Sequence, residues 1–317
     1  MSIQQIPIES REQWLSERVK DITSTESSAL YGLNPYQSEF ELYHAKRNKE
    51  VLSITENERM TWGKRLESAI AHGAAETMGW DIEKFGVYMR DTDARIGSSF
   101  DFKINSTTKG VGIMEVKNVD SMVYYRNWID DGQGNIEAPE HIEMQIQHQM
   151  EVADIDWCAL VALVGGNTQK VVLRNRDRDI GGNIRAKVSA FWASVDAGVA
   201  PSPDYTKDAE FIIKSLRNSA TEGLVVEADA ALEQLIEQFH FVSREGKDLD
   251  ALKEQYKAEI LDRIGEASKV VSSLGTISCG MTKASEGKVI TQDMVGTFAG
   301  ARSGFRNFRF NQKKEPK

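Results

Sequence analysis

Apolar residues in the first quarter of the chain recur with the spacing of amphipathic helices. Residues 10–77 fit this pattern, and Trp62, Leu66 and Ile70 fall on one face of the helix that ends the segment. Because the apolar face of such a helix has to leave water, we expect this stripe to pack inward.

The middle of the chain mixes β-rich runs with further helical spacing. Runs that predict strands lie near 85–90, 95–104, 111–117, 157–164 and 170–175. Helical spacing returns near residues 138–153, between the third and fourth runs, and again up to about residue 195 after the last run. An order of helix, strands, helix, strands and helix predicts an α/β fold.

A proline-containing segment, "GVAPSPDY" at 198–205, holds two of the six prolines and ends the last of these helices. We therefore predict two domains, residues 1–205 and 206–317. In the second domain, helical spacing on either side of Gly246 predicts an antiparallel helical hairpin. Short strands in "LGTISCGMTK" and "KVITQDM" and a C-terminal tail follow.

The charge balance is acidic overall but basic at the C-terminus. A net charge of −9, from 48 acids and 39 bases, argues against a protein that coats nucleic acid electrostatically. Residues 301–317, in contrast, carry six bases, one acid and three phenylalanines. Such a tail suits phosphate contact and base stacking, although a basic end is as commonly a solubilising one.

Cysteine usage and the N-terminus both indicate a cytoplasmic protein. Cys158 and Cys279 lie far apart without metal-ligand spacing, which favours a reducing compartment over a disulfide framework. The first residues lack a basic segment followed by an apolar core, and no apolar run is long enough to span a bilayer.

An acid and a base stand two positions apart in the strand-like segment "GIMEVKNVD" at 112–120. Side chains alternate along a strand, so Glu115 and Lys117 share one face. An ion pair on a half-solvated strand explains most such patterns. The interpretation therefore depends on what lies beside the pair.

Asp101, in "RDTDARIGSSFDFKI", follows an apolar-and-small run, and a short turn containing Gly110 separates it from the Glu115 strand. It can face Glu115 if the two strands pair antiparallel. Two carboxylates and the main-chain carbonyl of Val116 would then offer the hard oxygen ligands that Mg²⁺ prefers. Lys117 would lie next to that ion, where it could orient or deprotonate a water or neutralise charge on a phosphate.

In combination, several motifs resemble those of the YqaJ-type viral recombinases, relatives of phage lambda exonuclease in the PD-(D/E)XK nuclease superfamily. The motifs occur in the same order over roughly residues 11–205. They are Arg18 with "ITSTES" after it, "GLNPY" at 32–36, "MTWGKRLE" ending at Glu67, the segment ending around Asp101, "MEVK" at 114–117 and "QIQHQ" at 145–149. The resemblance implies a nuclease core in which a central mixed sheet is flanked by helices.

The resemblance also implies roles for individual residues. Asp101, Glu115 and the Val116 carbonyl match the metal ligands, for Mg²⁺ or alternatively Mn²⁺, and Lys117 matches the catalytic lysine. Three further residues have implied roles. Glu67 would hold a second metal or its water, and Asp91 would be a further active-site acid. Gln145 matches the motif glutamine beside the metal. One departure is that Phe100 and Phe102 flank Asp101, where the family usually has Pro-Asp-Gly.

A second implied site is a pocket for a terminal 5′-phosphate, formed by Arg18, Thr25 and Ser99. The resemblance then predicts a Mg²⁺-dependent exonuclease that digests linear double-stranded DNA from 5′ to 3′ and leaves 3′ overhangs for strand annealing. The implied partners are double-stranded DNA ends, a single-strand annealing protein and further copies of the chain in a ring, in the cytoplasm of a bacterial host if a phage or prophage encodes the chain.

Two alternatives remain open at the level of sequence. The same metal site could serve a structure-specific or nicking endonuclease. A member of a different class, a catalytically weak DNA-binding assembly protein, could use its C-terminal hairpin to bind a partner.

Overall fold

The structure, a computed structural model, describes residues 2–50, 57–215, 227–264, 269–272 and 275–278. It divides the chain into two compact units, Met1–Ile212 and Ile213–Lys317. The domain boundary that the sequence predicts, at residue 205, stays a prediction. The basic tail, the strand predicted in "KVITQDM" and Cys279 lie outside the described residues.

Helices and strands alternate along the first part of the chain. Their bounds are β1 (Ile3–Pro7), α1 (Arg11–Arg18), β2 (Ile22–Thr23), a 3-10 helix (Ser27–Tyr31), α2 (Glu39–Arg47), α3 (Glu58–Met78), β3 (Asp81–Lys84), β4 (Val87–Asp91), β5 (Ile96–Ser99), β6 (Phe102–Ser106), β7 (Gly110–Val119), α4 (Ser121–Asn127), β8 (Ile129–Asp130), β9 (Ile136–Glu137), α5 (Glu140–Ala153), β10 (Trp157–Val164), β11 (Thr168–Asn175), α6 (Arg178–Ala197) and α7 (Ala209–Ser215). Later elements are α8 (Ala230–Ile264), β12 (Lys269–Ser272) and β13 (Gly275–Ser278).

A five-stranded mixed sheet in the order β11-β10-β7-β6-β3 forms the centre of the first unit. Strand β7 lies in its middle, parallel to β10 and antiparallel to β6. Helix α3 packs Ile70, Ala71 and Ala74 in one apolar cluster with Met114 and Val116 of β7. On the opposite face of the sheet, Gln145 and Gln149 of α5 form hydrogen bonds with Glu115 of β7. The predicted α/β class, a mixed sheet flanked by helices, is confirmed.

A second, four-stranded sheet has the order β1-β4-β5-β2. The run near 95–104, predicted as one strand, is two strands in different sheets, because β5 pairs with β4 and β2 whereas β6 pairs with β7 and β3. Phe100 and Asp101 form the crossing between the two sheets. This crossing brings the end of β5, at Ser99, close to the start of β6.

The N-terminal helical prediction is correct in outline and wrong at Trp62. Residues 10–77 contain α1, a 3-10 helix, α2 and most of α3, with the short strand β2 between them, and Asn57 caps α3 through a hydrogen bond to the Met60 amide. Trp62 is half exposed, at 50%, with the guanidinium of Arg65 5.1 Å from its ring centroid. Leu66 is partly buried against the apolar cluster of the sheet and Ile70 is buried in it, so the predicted stripe packs inward from Leu66 onward.

The predicted C-terminal hairpin is wrong. Residues on both sides of Gly246 belong to one continuous helix of 35 residues, α8. A single internal glycine costs a helix only about 1 kcal/mol relative to alanine, which does not require a turn. Strands β12 and β13 pair antiparallel after it, and β13 falls inside the predicted "LGTISCGMTK" run. Throughout the described ranges, no helix combines the length and the apolar character needed to cross a membrane.

Candidate functional site

Glu115 lies in the middle of the central strand and is almost fully buried, at 5% exposure. Its Oε1 accepts hydrogen bonds from Lys117 Nζ and Gln145 Nε2, each at 2.6 Å. Its Oε2 accepts one from Gln149 Nε2 at 2.7 Å. Burial of a carboxylate is unfavourable unless its oxygens are paired, and here both are. The two glutamines, one turn apart on α5, fix the orientation of the carboxylate.

Asp101, immediately before the neighbouring strand β6, faces Glu115, as the sequence predicts. Phe102 pairs with Met114 in the antiparallel β6–β7 register, so the next pair outward is Asp101 with Glu115. Asp101 Oδ2 accepts a hydrogen bond from the Val116 amide at 2.8 Å. Burial, followed by the nearby carboxylate of Glu115, raises the pKa of Asp101 well above its ordinary value. Two carboxylates that repel each other in this way form a donor set that suits a hard cation.

Lys117 lies at the open side of the same cluster, with 26% of its side chain exposed. Besides Glu115, its ammonium contacts Gln145 Oε1 at 3.2 Å. Burial alone would lower the pKa of Lys117, but the carboxylates of Glu115 and Asp101 outweigh it and raise that pKa. The cluster therefore combines two acids with a fixed positive charge.

Glu67 approaches the cluster from α3 on the other face of the sheet. Its carboxylate is one of the charges that raise the pKa of Asp101, and it forms an ion pair with Lys84 at 3.3 Å. Among the described residues, no three Asp, Glu, His or Cys side chains are close enough together to hold an ion. Asp101, Glu115 and the Val116 carbonyl could offer donors to an ion, and their metal role, like that of Glu67, stays a prediction.

Asp91 belongs to a separate network and not to this cluster. Its carboxylate, 1% exposed at the end of β4, binds Arg185 Nη1 at 2.7 Å and accepts from the Asp93 amide at 3.1 Å. Arg185 of α6 also binds Glu151. The hydrogen bonds of the described residues do not connect Asp91 to Asp101 or Glu115. The structure thus shows Asp91 in an ion pair that joins α6 to the second sheet, and the active-site role that the resemblance implies stays a prediction.

Arg18, Thr25 and Ser99, predicted as a phosphate pocket, lie together. Arg18 Nη2 donates to Thr25 Oγ1 at 3.0 Å, and its guanidinium lies 4.5 Å from the ring centroid of Trp14. The Trp14 indole N–H in turn donates to Ser99 Oγ at 2.8 Å. We call Arg18, Thr25 and Ser99 the cradle. Sequence reasoning missed Trp14, although its position one helical turn before Arg18 is a signal that could have found it.

Beneath the cradle lies a buried ion pair. Lys46, 6% exposed, binds both the Glu26 carboxylate at 2.9 Å and the Arg18 carbonyl at 2.9 Å. Although burial alone would raise it, the pKa of Glu26 lies below its ordinary value because of the charges of Lys46 and Arg18. This pair fixes the turn that presents Arg18.

Gln149 connects the cradle to the carboxylate cluster. Its Nε2 donates to Glu115 Oε2 at 2.7 Å and to the Ser99 carbonyl at 3.3 Å. Only Phe100 separates Ser99 from Asp101 along the chain. Sequence reasoning named Gln145 and missed Gln149, although the i, i+4 spacing within "QIQHQ" places both on one helix face.

A family model matches part of the chain. Residues 13–156 match the model of the YqaJ-like viral recombinase domain, so the resemblance predicted from the motifs is confirmed. The uncharacterized protein YqaJ of Bacillus subtilis (strain 168) is 25% identical over 266 residues, which cover 80% of this chain and 79% of that protein.

Two solved structures show a partial likeness. An alkaline exonuclease (LHK-Exo) from Laribacter hongkongensis has 19% identity and a TM-score of 0.47, covering 63% of this chain and 98% of that one. A phage-related exonuclease from Haemophilus somnus 129PT has 14% identity and a TM-score of 0.40, covering 56% and 95%.

Proposed function

We propose, from the match of residues 13–156 to the YqaJ-like viral recombinase domain, that the protein is a metal-dependent deoxyribonuclease. It digests one strand of linear duplex DNA from a 5′ end and leaves a 3′ single-stranded overhang. The observation that supports an exonuclease is the contact of Gln149 with both Glu115 and Ser99. A terminal phosphate bound in the cradle then lies at a fixed distance from the cluster that cleaves the chain.

The carboxylate cluster fits a divalent cation. Asp101, Glu115 and the Val116 carbonyl would hold Mg²⁺ or Mn²⁺, and a bound ion of this kind supplies an activated water and stabilises charge on a phosphate. The Lys117 ammonium neutralises negative charge that develops on the phosphate oxygens during cleavage. Gln145 and Gln149 keep the Glu115 oxygens directed toward the site, as supporting residues of metal ligands commonly do.

The cradle distinguishes a terminal phosphate from an internal one. A phosphate monoester carries close to two negative charges near neutral pH, whereas a diester carries one. The planar guanidinium of Arg18 can hold such a group through two parallel hydrogen bonds, and the hydroxyls of Thr25 and Ser99 add donors. Digestion should therefore begin at 5′-phosphorylated ends. The annealing partner and the ring assembly stay predictions of the resemblance.

Three labelled substrates test this function: linear duplex with 5′-phosphates, the same duplex with 5′-hydroxyls, and a covalently closed circle. With Mg²⁺ we expect the phosphorylated duplex to be digested fastest and the circle to survive, and EDTA or Glu115→Gln to stop digestion. Arg18→Ala should remove the preference for phosphate, while Arg11→Ala, the same charge change on the same helix, should keep it. Equal cleavage of circles would indicate an endonuclease, and binding without any cleavage would indicate an assembly protein.

A further inference from the structure

Tyr36 combines a fixed backbone with an exposed aromatic ring. Tyr36 is 85% exposed. Its amide donates to Asn34 Oδ1 at 2.8 Å, and the Gln37 amide donates to the same oxygen at 3.1 Å. Asn34 Nδ2 donates to the Thr25 carbonyl at 3.0 Å. The turn that carries Tyr36 is therefore tied directly to the cradle.

The other neighbour of Tyr36 is one helical turn from the carboxylate cluster. His141 of α5 packs against the Tyr36 ring with centroids 6.2 Å apart and planes at 89°. His141 precedes Gln145, which contacts both Glu115 and Lys117, by four residues. Four residues of α-helix rise about 6 Å. Tyr36 is thus connected to the phosphate cradle through Asn34 and to the cleavage site through His141.

The perpendicular contact leaves space for a planar ligand. Two rings that meet edge to face cover at most one face of either ring, and the exposure of Tyr36 agrees with an open face. Burial, followed by the positive charge of Lys117, lowers the pKa of His141, which favours a neutral imidazole near pH 7. The pair therefore offers an aromatic surface without a net charge.

We propose that Tyr36, supported by His141, is a stacking site for an unpaired nucleobase at the end of the DNA substrate. The inference rests on the proposed function for the identity of the ligand. Every base has a π-face, so an aromatic side chain beside a phosphate site binds single-stranded ends without sequence preference. With its 5′-phosphate in the cradle, the terminal nucleotide is within reach of the Tyr36 ring, and stacking there holds it apart from its complement.

A fluorescent base tests the site without requiring cleavage. The probe is a 5′-phosphorylated duplex with an unpaired 2-aminopurine at its 5′ terminus, whose emission falls when the base stacks on an aromatic ring. The full-length protein is titrated in EDTA, so that the DNA stays intact. We expect the wild type to quench the probe, Tyr36→Phe to do the same, and Tyr36→Ala to lose the quenching and bind the probe about tenfold more weakly.

Tyr125 provides a matched control, because it is also exposed, at 82%, but lies on α4 and contacts Tyr124. Tyr125→Ala should quench like the wild type, and thermal melts should show that both alanine variants are folded. Quenching and affinity that are unchanged in Tyr36→Ala, or a wild type that does not quench, would overturn the inference. A wild type that digests DNA but fails this test refutes the stacking site alone, and one that quenches but never digests DNA refutes the nuclease alone.

Discussion

Replacing Asp91 by asparagine should destabilise the protein strongly and leave DNA cleavage per folded molecule unchanged. The Asp91 carboxylate is 1% exposed and its Oδ2 lies 2.7 Å from Arg185 Nη1. Removing one partner of a buried ion pair costs roughly 3 to 5 kcal/mol. Arg185 is 21% exposed and keeps Glu151 as a second partner, so we place the loss at the lower end, about 3 kcal/mol.

Urea denaturation at pH 7 measures this loss, with Asp154→Asn as the control. Asp154 also pairs with an arginine, Arg176, but is 65% exposed, so its loss should be under about 1 kcal/mol. Despite burial, Arg185 holds the pKa of Asp91 below its ordinary value. A carboxylate whose pKa is lower in the native state than in the unfolded chain stabilises the native state at pH values above its unfolded pKa. This stabilisation is lost as the pH falls through the native-state pKa of Asp91, so the stabilities of the wild type and Asp91→Asn should converge in acid. Unchanged stability with a cleavage rate that falls a hundredfold would refute the structural role.

Three further predictions concern other parts of the first unit. Gln149→Ala should slow DNA cleavage by about 10- to 100-fold at unchanged DNA affinity, because Gln149 orients the Glu115 carboxylate. Gln147→Ala is the control and should cleave at the wild-type rate, because the Gln147 amide binds the Asn175 carbonyl instead. Equal rates for the two variants would contradict the positioning role of Gln149. Burial lowers the pKa of His148 to about 4, so the unfolded chain takes up a proton that the native state excludes, and stability should fall as pH drops from about 6.5 toward 4. His148→Gln should remove that part of the slope in urea titrations at several pH values. Ile70→Ala should lower the free energy of unfolding by about 2 to 5 kcal/mol in the same assay, and Trp62→Ala by much less, because Ile70 is buried and Trp62 is half exposed. Equal losses in the two variants would contradict this difference in packing.

The register of the central strands was predictable because its determinants are local. Asp101 directly precedes β6, and one short turn joins β6 to β7, which carries Glu115, so an antiparallel pairing alone places the two residues opposite each other. The pairing of Glu115 with Lys117 follows from strand alternation in the same way. Gln149 was equally accessible, since one helical turn separates it from Gln145.

Features that depend on distant residues were not predictable. The ion-pair partner of Asp91 is Arg185, which follows it by more than ninety positions and belongs to a different element. The run near 95–104 is divided between two sheets because β5 and β6 pair with different neighbouring strands. Side chains alternate in the same way in either sheet, so the pattern of the run does not reveal the division. Trp62 was wrongly predicted to pack inward because helical spacing does not show where the sheet beneath the helix ends.

The most direct test of the cleavage centre is the single-turnover rate of Lys117→Met on 5′-phosphorylated linear duplex with Mg²⁺. Lys103→Met is the control, because Lys103 forms an ion pair with Glu83 at 2.8 Å on the adjacent strand and has no place in the cluster. If Lys117 stabilises charge in the transition state, its variant should be slower by about 100-fold or more at unchanged DNA affinity. The control should cleave at the wild-type rate. A Lys117→Met protein that cleaves as fast as the control would mean that Lys117 is only the ion-pair partner of Glu115, and would contradict the account.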